Sequence, residues 1–229
     1  MVENDLKRNE KAANIIKTKL NLNSEPVAIK IIKNESQLPN NINKVETPKR
    51  HCEMTKIASK GESFYATLEE QSCKGGAAAL GLTELPEKLK SGEFYVKLGR
   101  FKDRKSAKET LNALPSLKKE TYAIVYTPLK EEEYAPDAIV FFAKPVQAMK
   151  IAQSLIYEET DRINADFAGI QSICADAVAK PINNESVNIT LGCDGSRKYA
   201  NVEDEELAVG INNKKLDILT QSIEAIMGE

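Results

Sequence analysis

Two short stretches of this sequence, 120 residues apart, share one build and restrict the fold more than any other feature. Ser72 to Leu82 reads SCKGGAAALGL and Leu191 to Tyr199 reads LGCDGSRKY. In each, a β-like run (Phe64–Leu68 and Val187–Leu191) leads into a cysteine, Cys73 or Cys193. A glycine two residues later, Gly75 or Gly195, permits a sharp turn into a helix. A sulfur on such a corner faces the free amide N–H groups and the positive end of the helix, which favours its thiolate.

The order of elements around the two corners is also shared. The first half reads strand (Val27–Ile32), helix with Cys52, strand, Cys73 corner, strand (Phe94–Leu98), helix. The second reads strand (Ala138–Ala143), helices including Cys174, strand, Cys193 corner, strand (Glu206–Ile211), helix (Lys214–Met227). Cys52 and Cys73 are 21 positions apart, Cys174 and Cys193 are 19. This predicts an internal duplication, with halves at about 20–130 and 131–229 inside one domain. The fold class expected is α/β, with α+β the variant: a mixed sheet with flanking helices, in two pseudo-symmetric βαββα-like halves. A helix over residues 3–20, one over Lys49–Lys60 and one over Ser106–Leu114 complete the pattern, and AIVFFA at Ala138–Ala143 is expected at the sheet centre. After Pro145 the spacing predicts a helix with Val146, Met149, Ala152 and Ile156 on one face, and a further helix is expected over Phe167–Ala179, ended by Pro181.

If the halves pack about a pseudo-two-fold axis, two cysteines from each meet near it. Four thiolates around one centre select a soft metal or an iron–sulfur cluster. Cys52, Cys73, Cys174 and Cys193 are accordingly the candidate metal ligands, with a [4Fe–4S] cluster as the cofactor and zinc or none as alternatives. The competing readings are structural thiols, since Cys174 shares a helical face with Ile170, Ile173, Ala177 and Val178, and a redox disulfide. Neither half has the C-x₂-C spacing of zinc knuckles.

A second set of candidates lies on the same corners. Lys74, Gly75 and Gly76, and Gly195, Ser196 and Arg197, offer consecutive N–H groups beside a cation, a pattern that suits a phosphate or carboxylate. Neither matches a Walker loop or GxGxxG. His51 is the only histidine and reads as a solvated side chain pointing away from Cys52; the acidic run Glu203 to Glu206 reads as a solvated turn. Glu69 and Glu70, adjacent in an extended run, face opposite ways and make no acid–base pair.

Composition narrows the classes. Both charge signs are interspersed with a net charge of −2, so no basic face for nucleic acid or an anionic membrane is expected. No apolar run reaches the roughly 18 residues of a membrane helix, and the first residues resemble no signal peptide. The expected location is cytoplasmic, where disulfides are rare, and association into oligomers is left open.

The runs SCKGGAAALGL, PDAIVFFAKPVQAMKI, CADAVAKP, LGCDGSRKY and LAVGI resemble the family called domain of unknown function 169, from about Leu20 to Ile226. On this resemblance its motif cysteines fall on Cys73, Cys174 and Cys193, with Cys52 at the upstream position. Its glycines fall on Gly75, Gly76 and Gly195, and its arginine on Arg197. The resemblance implies no assigned activity, but the family's prevalence in archaea and anaerobic bacteria supports an oxygen-sensitive cluster.

The expectation is therefore a cytoplasmic four-cysteine [4Fe–4S] protein of an anaerobe, for electron transfer, redox sensing or metal handling, with a redox partner protein. Its main alternative is a protein or transferase that binds a small anionic ligand on the Gly-rich corners and Arg197; a zinc-stabilised interaction protein is a third reading.

Overall fold

The computed structural model describes residues 2–158 and 162–228. In chain order the elements are α1 (Val2–Leu20), β1 (Val27–Ile32), α2 (His51–Ala58), β2 (Phe64–Thr67), α3 (Lys74–Ala79), α4 (Glu87–Lys90), α5 (Glu93–Lys97), α6 (Arg104–Ala113), β3 (Ala123–Pro128), β4 (Ala138–Ala143) and α7 (Pro145–Leu155). A π-helix (Ser172–Ala179) follows, then α8 (Lys180–Asn184), β5 (Val187–Thr190), α9 (Asp194–Ala200), β6 (Leu207–Asn212) and α10 (Leu216–Met227).

The strands form one sheet in the order β2-β3-β1-β4-β6-β5. The fold is α/β, and among the described residues every strand pair is antiparallel, with parallel pairing confined to isolated bridges at Lys44–Tyr65 and Lys49–Gln71. From the centre outward, the first three strands run first, third, second, and so do the last three. At the centre Val27, Ala28 and Ile29 face Val140, Ile139 and Ala138, so that Ala28 pairs with Ile139, its own counterpart when Val27 is matched to Ala138.

Alternation along the central strands divides the core in two, because successive side chains point to opposite faces. Val27, Ile29, Ala138, Val140 and Phe142 point to the side covered by α2, α3 and the π-helix. Ala28, Ile139, Phe141 and Ala143 point to the side covered by α1, α7 and α10. Burial on both faces explains why AIVFFA is apolar throughout, and β4 is one of the two central strands. α1 is fixed to its layer by Ala12, Ala13, Ile16 and Leu20, and by the wholly buried Asn9, whose amide donates to the carbonyls of Glu132 and Tyr134.

Four expectations are corrected. Phe94–Leu98 is not a strand: Gly92, at φ +78°, starts helix α5, and Glu93 pairs with Lys97 one turn on at 2.8 Å. Five residues are too few for apolar period to separate helix from strand, and Tyr95 is the side chain buried. β3 lies between β2 and β1 in the sheet instead, and α5 and α6 pack around Tyr95, Ala107, Leu111 and Ile170. Helix α7 turns the other way from expected: Ala148, Ile151 and Leu155 are buried, whereas Val146 and Met149 are about half exposed. Both faces carry apolar spacing, and the small Ala148 lets the helix approach the sheet.

The helix expected over Phe167–Ala179 begins only at Ser172, after Gly169 (φ +69°) and Gln171 (φ +50°), and is a π-helix. The π-helix ends at Ala179, the bound expected, but Pro181 does not stop the chain, which stays helical through it as α8. Finally, Glu206 is buried rather than solvated. Its carboxylate meets the ammonium of Lys56 at 2.6 Å, with each side chain only 10% exposed, and Lys56 also lies 4.3 Å from the centre of the Phe142 ring. Among the described residues no helix is long and apolar enough to cross a membrane.

Candidate metal centre

The four cysteines come from four separate elements on one face of the sheet. Cys52 is in the first turn of α2, Cys73 caps α3, Cys174 is in the π-helix and Cys193 caps α9. All four line a single cavity of about 360 Å³, together with Gly76, Gly195, His51 and Ser172. All four are free thiols. Cys52 and Cys174 form its buried floor, and Cys73 and Cys193 are half-buried.

The approach is close. The position a Cβ on Gly76 would take lies 3.7 Å from both the Cys73 Sγ and the Cys174 Sγ, so any larger residue would push into the space between them. The Gly76 amide donates to the Cys73 Sγ at 3.4 Å. On the other side, a Cβ on Gly195 would stand 3.7 Å from the Cys193 Sγ. Gly75 and Gly76 therefore serve packing: both lie within helix α3, and Gly75 faces the Gln171 side chain at 3.2 Å. At the second corner the left-handed residue is Gly192, at φ +88°, rather than Gly195.

A buried thiol without a cation beside it stays protonated. Burial, reinforced by the neighbouring cysteines, pushes the Cys52 thiol up to about 12 and the Cys174 thiol well above its ordinary value. Cys174 is placed as a donor, with its Sγ 3.3 Å from the Gln171 carbonyl oxygen. The corners thus do not by themselves make all four sulfurs anionic, and a bound cationic metal centre would be needed to deprotonate the floor.

His51 is not solvated. It is 1% exposed, its Nδ1 lies 2.9 Å from the Tyr126 hydroxyl, and burial pushes its imidazolium down to about 3, leaving a neutral ring. The Tyr126 hydroxyl also accepts from the Gln71 amide at 3.2 Å. The apolar environment of β3 turns the ring inward, a tertiary effect that helical spacing alone does not report.

The anion-site candidates separate. Gly76 and Gly195 are on the cavity wall; Lys74 is exposed on the first turn of α3. Ser196 is buried, its hydroxyl accepting from the Cys193 amide at 2.9 Å and donating to the Cys193 carbonyl at 2.8 Å. Arg197 directs its guanidinium to the carbonyl oxygens of Leu191, Val202, Glu203 and Glu206. It closes the chain around the second corner. Sequence reasoning missed Arg50, Ser172, Tyr95 and the α5 wall, because nothing local marks residues that meet only across the fold.

The donor set fits an iron–sulfur cluster: four thiols, with the nearest imidazole held by tyrosine, around a volume in the range of small-molecule sites. Among the described residues no three His, Cys, Asp or Glu side chains are grouped as they would be on one metal ion. What the four cysteines share is the lining of one cavity.

The family model DUF169, described as Uncharacterised ArCR, COG2043, matches residues 15–222. The chain is 44% identical over 200 residues to the "Uncharacterized protein MJ0308" of Methanocaldococcus jannaschii, an alignment covering 86% of this chain and 86% of that protein. No solved structure matches it. With nearly the whole fold spanned by the family model, the chain belongs to the DUF169 family.

Proposed function

We propose that this protein holds a [4Fe–4S] cluster through Cys52, Cys73, Cys174 and Cys193, and that it serves electron transfer, redox sensing or metal handling. The observation that carries the reading is that four cysteines from four elements line one cavity. The matching strand order of the two halves supports the internal duplication behind it, since equivalent helices and corners then fall on one face of the sheet. When bound, such a group supplies one-electron chemistry. The protein's own part is to fix the sulfurs, to exclude water at Cys52 and Cys174, and to donate the Gly76 amide to the Cys73 sulfur, a contact that favours added negative charge there. The half-buried edge at Cys73 and Cys193 is the side from which a redox partner protein would exchange electrons.

The test is anaerobic reconstitution with iron and sulfide. Brown protein with roughly four irons per chain is expected. Colourless, iron-free protein with four titratable thiols overturns the reading. Protein that retains zinc without iron overturns it in favour of a zinc site, which requires the sulfurs to draw in to about 3.7 Å of one another.

A further inference from the structure

The cavity continues beyond the sulfurs, and its outer part has a different character. Phe94 and Leu98, on and just after α5, are 37% and 50% exposed, and Tyr199 of α9 is 45% exposed. Large apolar side chains left in water around a concave opening are where a ligand gains most from burial. The opening is also cationic. The Arg50 guanidinium lies 3.9 Å from the centre of the Tyr199 ring, and the Lys198 ammonium 5.3 Å from it. Among the described residues Arg50 has Glu53 as its one carboxylate partner, loosely at 3.8 Å, and Lys198 has none. Arg100, by contrast, is neutralised by Asp194 at 2.6 Å.

Deeper in the same cavity Ser172 is wholly buried, and its Oγ has no hydrogen-bond partner. A hydroxyl taken out of water without a partner is costly, and it points to a group that this structure does not hold. Compensation of an anionic cluster would account for the two cations. It accounts for neither the exposed rings nor the orphaned hydroxyl.

We infer that the outer cavity binds a small organic acid with a planar apolar body. Its carboxylate sits on Arg50 and Lys198, where the guanidinium fork matches the two oxygens. Its body lies between Phe94 and Tyr199, and a polar group at its inner end meets the Ser172 hydroxyl. The binding site stands on its own residues; only the ligand's closeness to a redox centre rests on the cluster reading.

The test uses full-length protein in two forms, reconstituted with iron and sulfide and metal-free, each titrated with benzoate and phenylacetate by calorimetry and saturation-transfer NMR. Acetate, benzamide and inorganic phosphate are the controls. Saturable binding of the aromatic acids is expected, with acetate and benzamide weaker by about tenfold or more. Arg50→Gln and Lys198→Gln should weaken the acids without changing the melting temperature, and Phe94→Ala should weaken benzoate while leaving phosphate unaffected. Failure of both acids to bind either form overturns the inference, as does benzamide binding as tightly as benzoate, or benzoate binding that Phe94→Ala leaves unchanged. Iron and sulfide analysis of the same samples reports separately on the cluster. Acid binding without iron incorporation supports this inference and overturns the cluster; a cluster without acid binding does the reverse.

Discussion

A Cβ on Gly210 would lie 1.8 Å from the carbonyl oxygen of Ala177, so β6 and the π-helix touch backbone to backbone. This contact sets the depth of the π-helix on the sheet, and with it the place of Cys174. All eight residues of that helix are buried, so it has no exposed side toward which to shift.

Gly210→Ala should therefore destabilise the fold by about 3 kcal/mol or more, at the upper end for overpacking, because the obstructing atom is backbone and cannot rotate away. Urea unfolding measures the loss. Weakened iron incorporation should accompany it, since Cys174 moves with the helix. A variant of unchanged stability would show that the two backbones are not in contact.

On the proposed cluster reading, replacing one of the four cysteines should remove the visible colour and lower stability only where metal is bound. Cys73→Ala and Cys193→Ala, at half-buried positions, should melt like the wild-type protein when both are metal-free. The reconstituted wild-type protein should melt higher than either, and chelation should abolish the difference. Thermal unfolding with and without iron and sulfide checks this.

Lys56 and Glu206 tie the Cys52 helix to the approach of β6 through a buried ion pair. Lys56→Met should cost about 3–5 kcal/mol, because it leaves a buried carboxylate uncompensated, whereas Lys56→Met with Glu206→Leu should recover much of that loss. A double-mutant cycle in urea separates the pair from its environment. Equal losses in the single and double variants would rule out the pairing as the source.

Arg197→Ala should destabilise the second corner by about 2–3 kcal/mol, through carbonyls left without a charged donor. Arg197→Lys should not restore it, because an ammonium cannot span several carbonyls as the planar fork does. Binding of benzoate in the folded fraction should be unchanged. A variant that loses acid binding at full stability would give Arg197 a ligand role instead.

Glu132 is almost wholly buried, and burial raises its carboxyl above the ordinary 4.5, against hydrogen bonds from Thr127 at 2.6 Å and the Tyr134 amide at 3.0 Å. A raised carboxyl is more easily protonated in the folded chain than in the unfolded one. Its contribution is full below pH 4.5 and declines as pH rises through the folded value. The stability of the wild-type protein relative to Glu132→Gln should fall over that interval. A difference that is flat with pH, or that rises, would contradict the burial effect.

The sequence by itself determined the family, the α/β class, the β1, β4, β5 and β6 strands close to their observed bounds, and the four cysteines as a set. Each is carried locally: β-branched runs, strong apolar spacing and motifs that recur within one chain. Tertiary structure decided what local pattern leaves degenerate. Alternation suited Phe94–Leu98 to strand as well as helix until Tyr95 found its core. Spacing gave α7 two apolar faces, and the sheet accepted the one with Ala148. The inward turn of His51, the pairing of Glu206 with Lys56 and the use of Arg197 on main-chain carbonyls all depend on partners far along the chain or on the path of the backbone. So does the meeting of the thiols. Spacing can place each sulfur on its corner or helix, but only the packing of α2, α3, α9 and the π-helix on one face of the antiparallel sheet brings the four to one cavity.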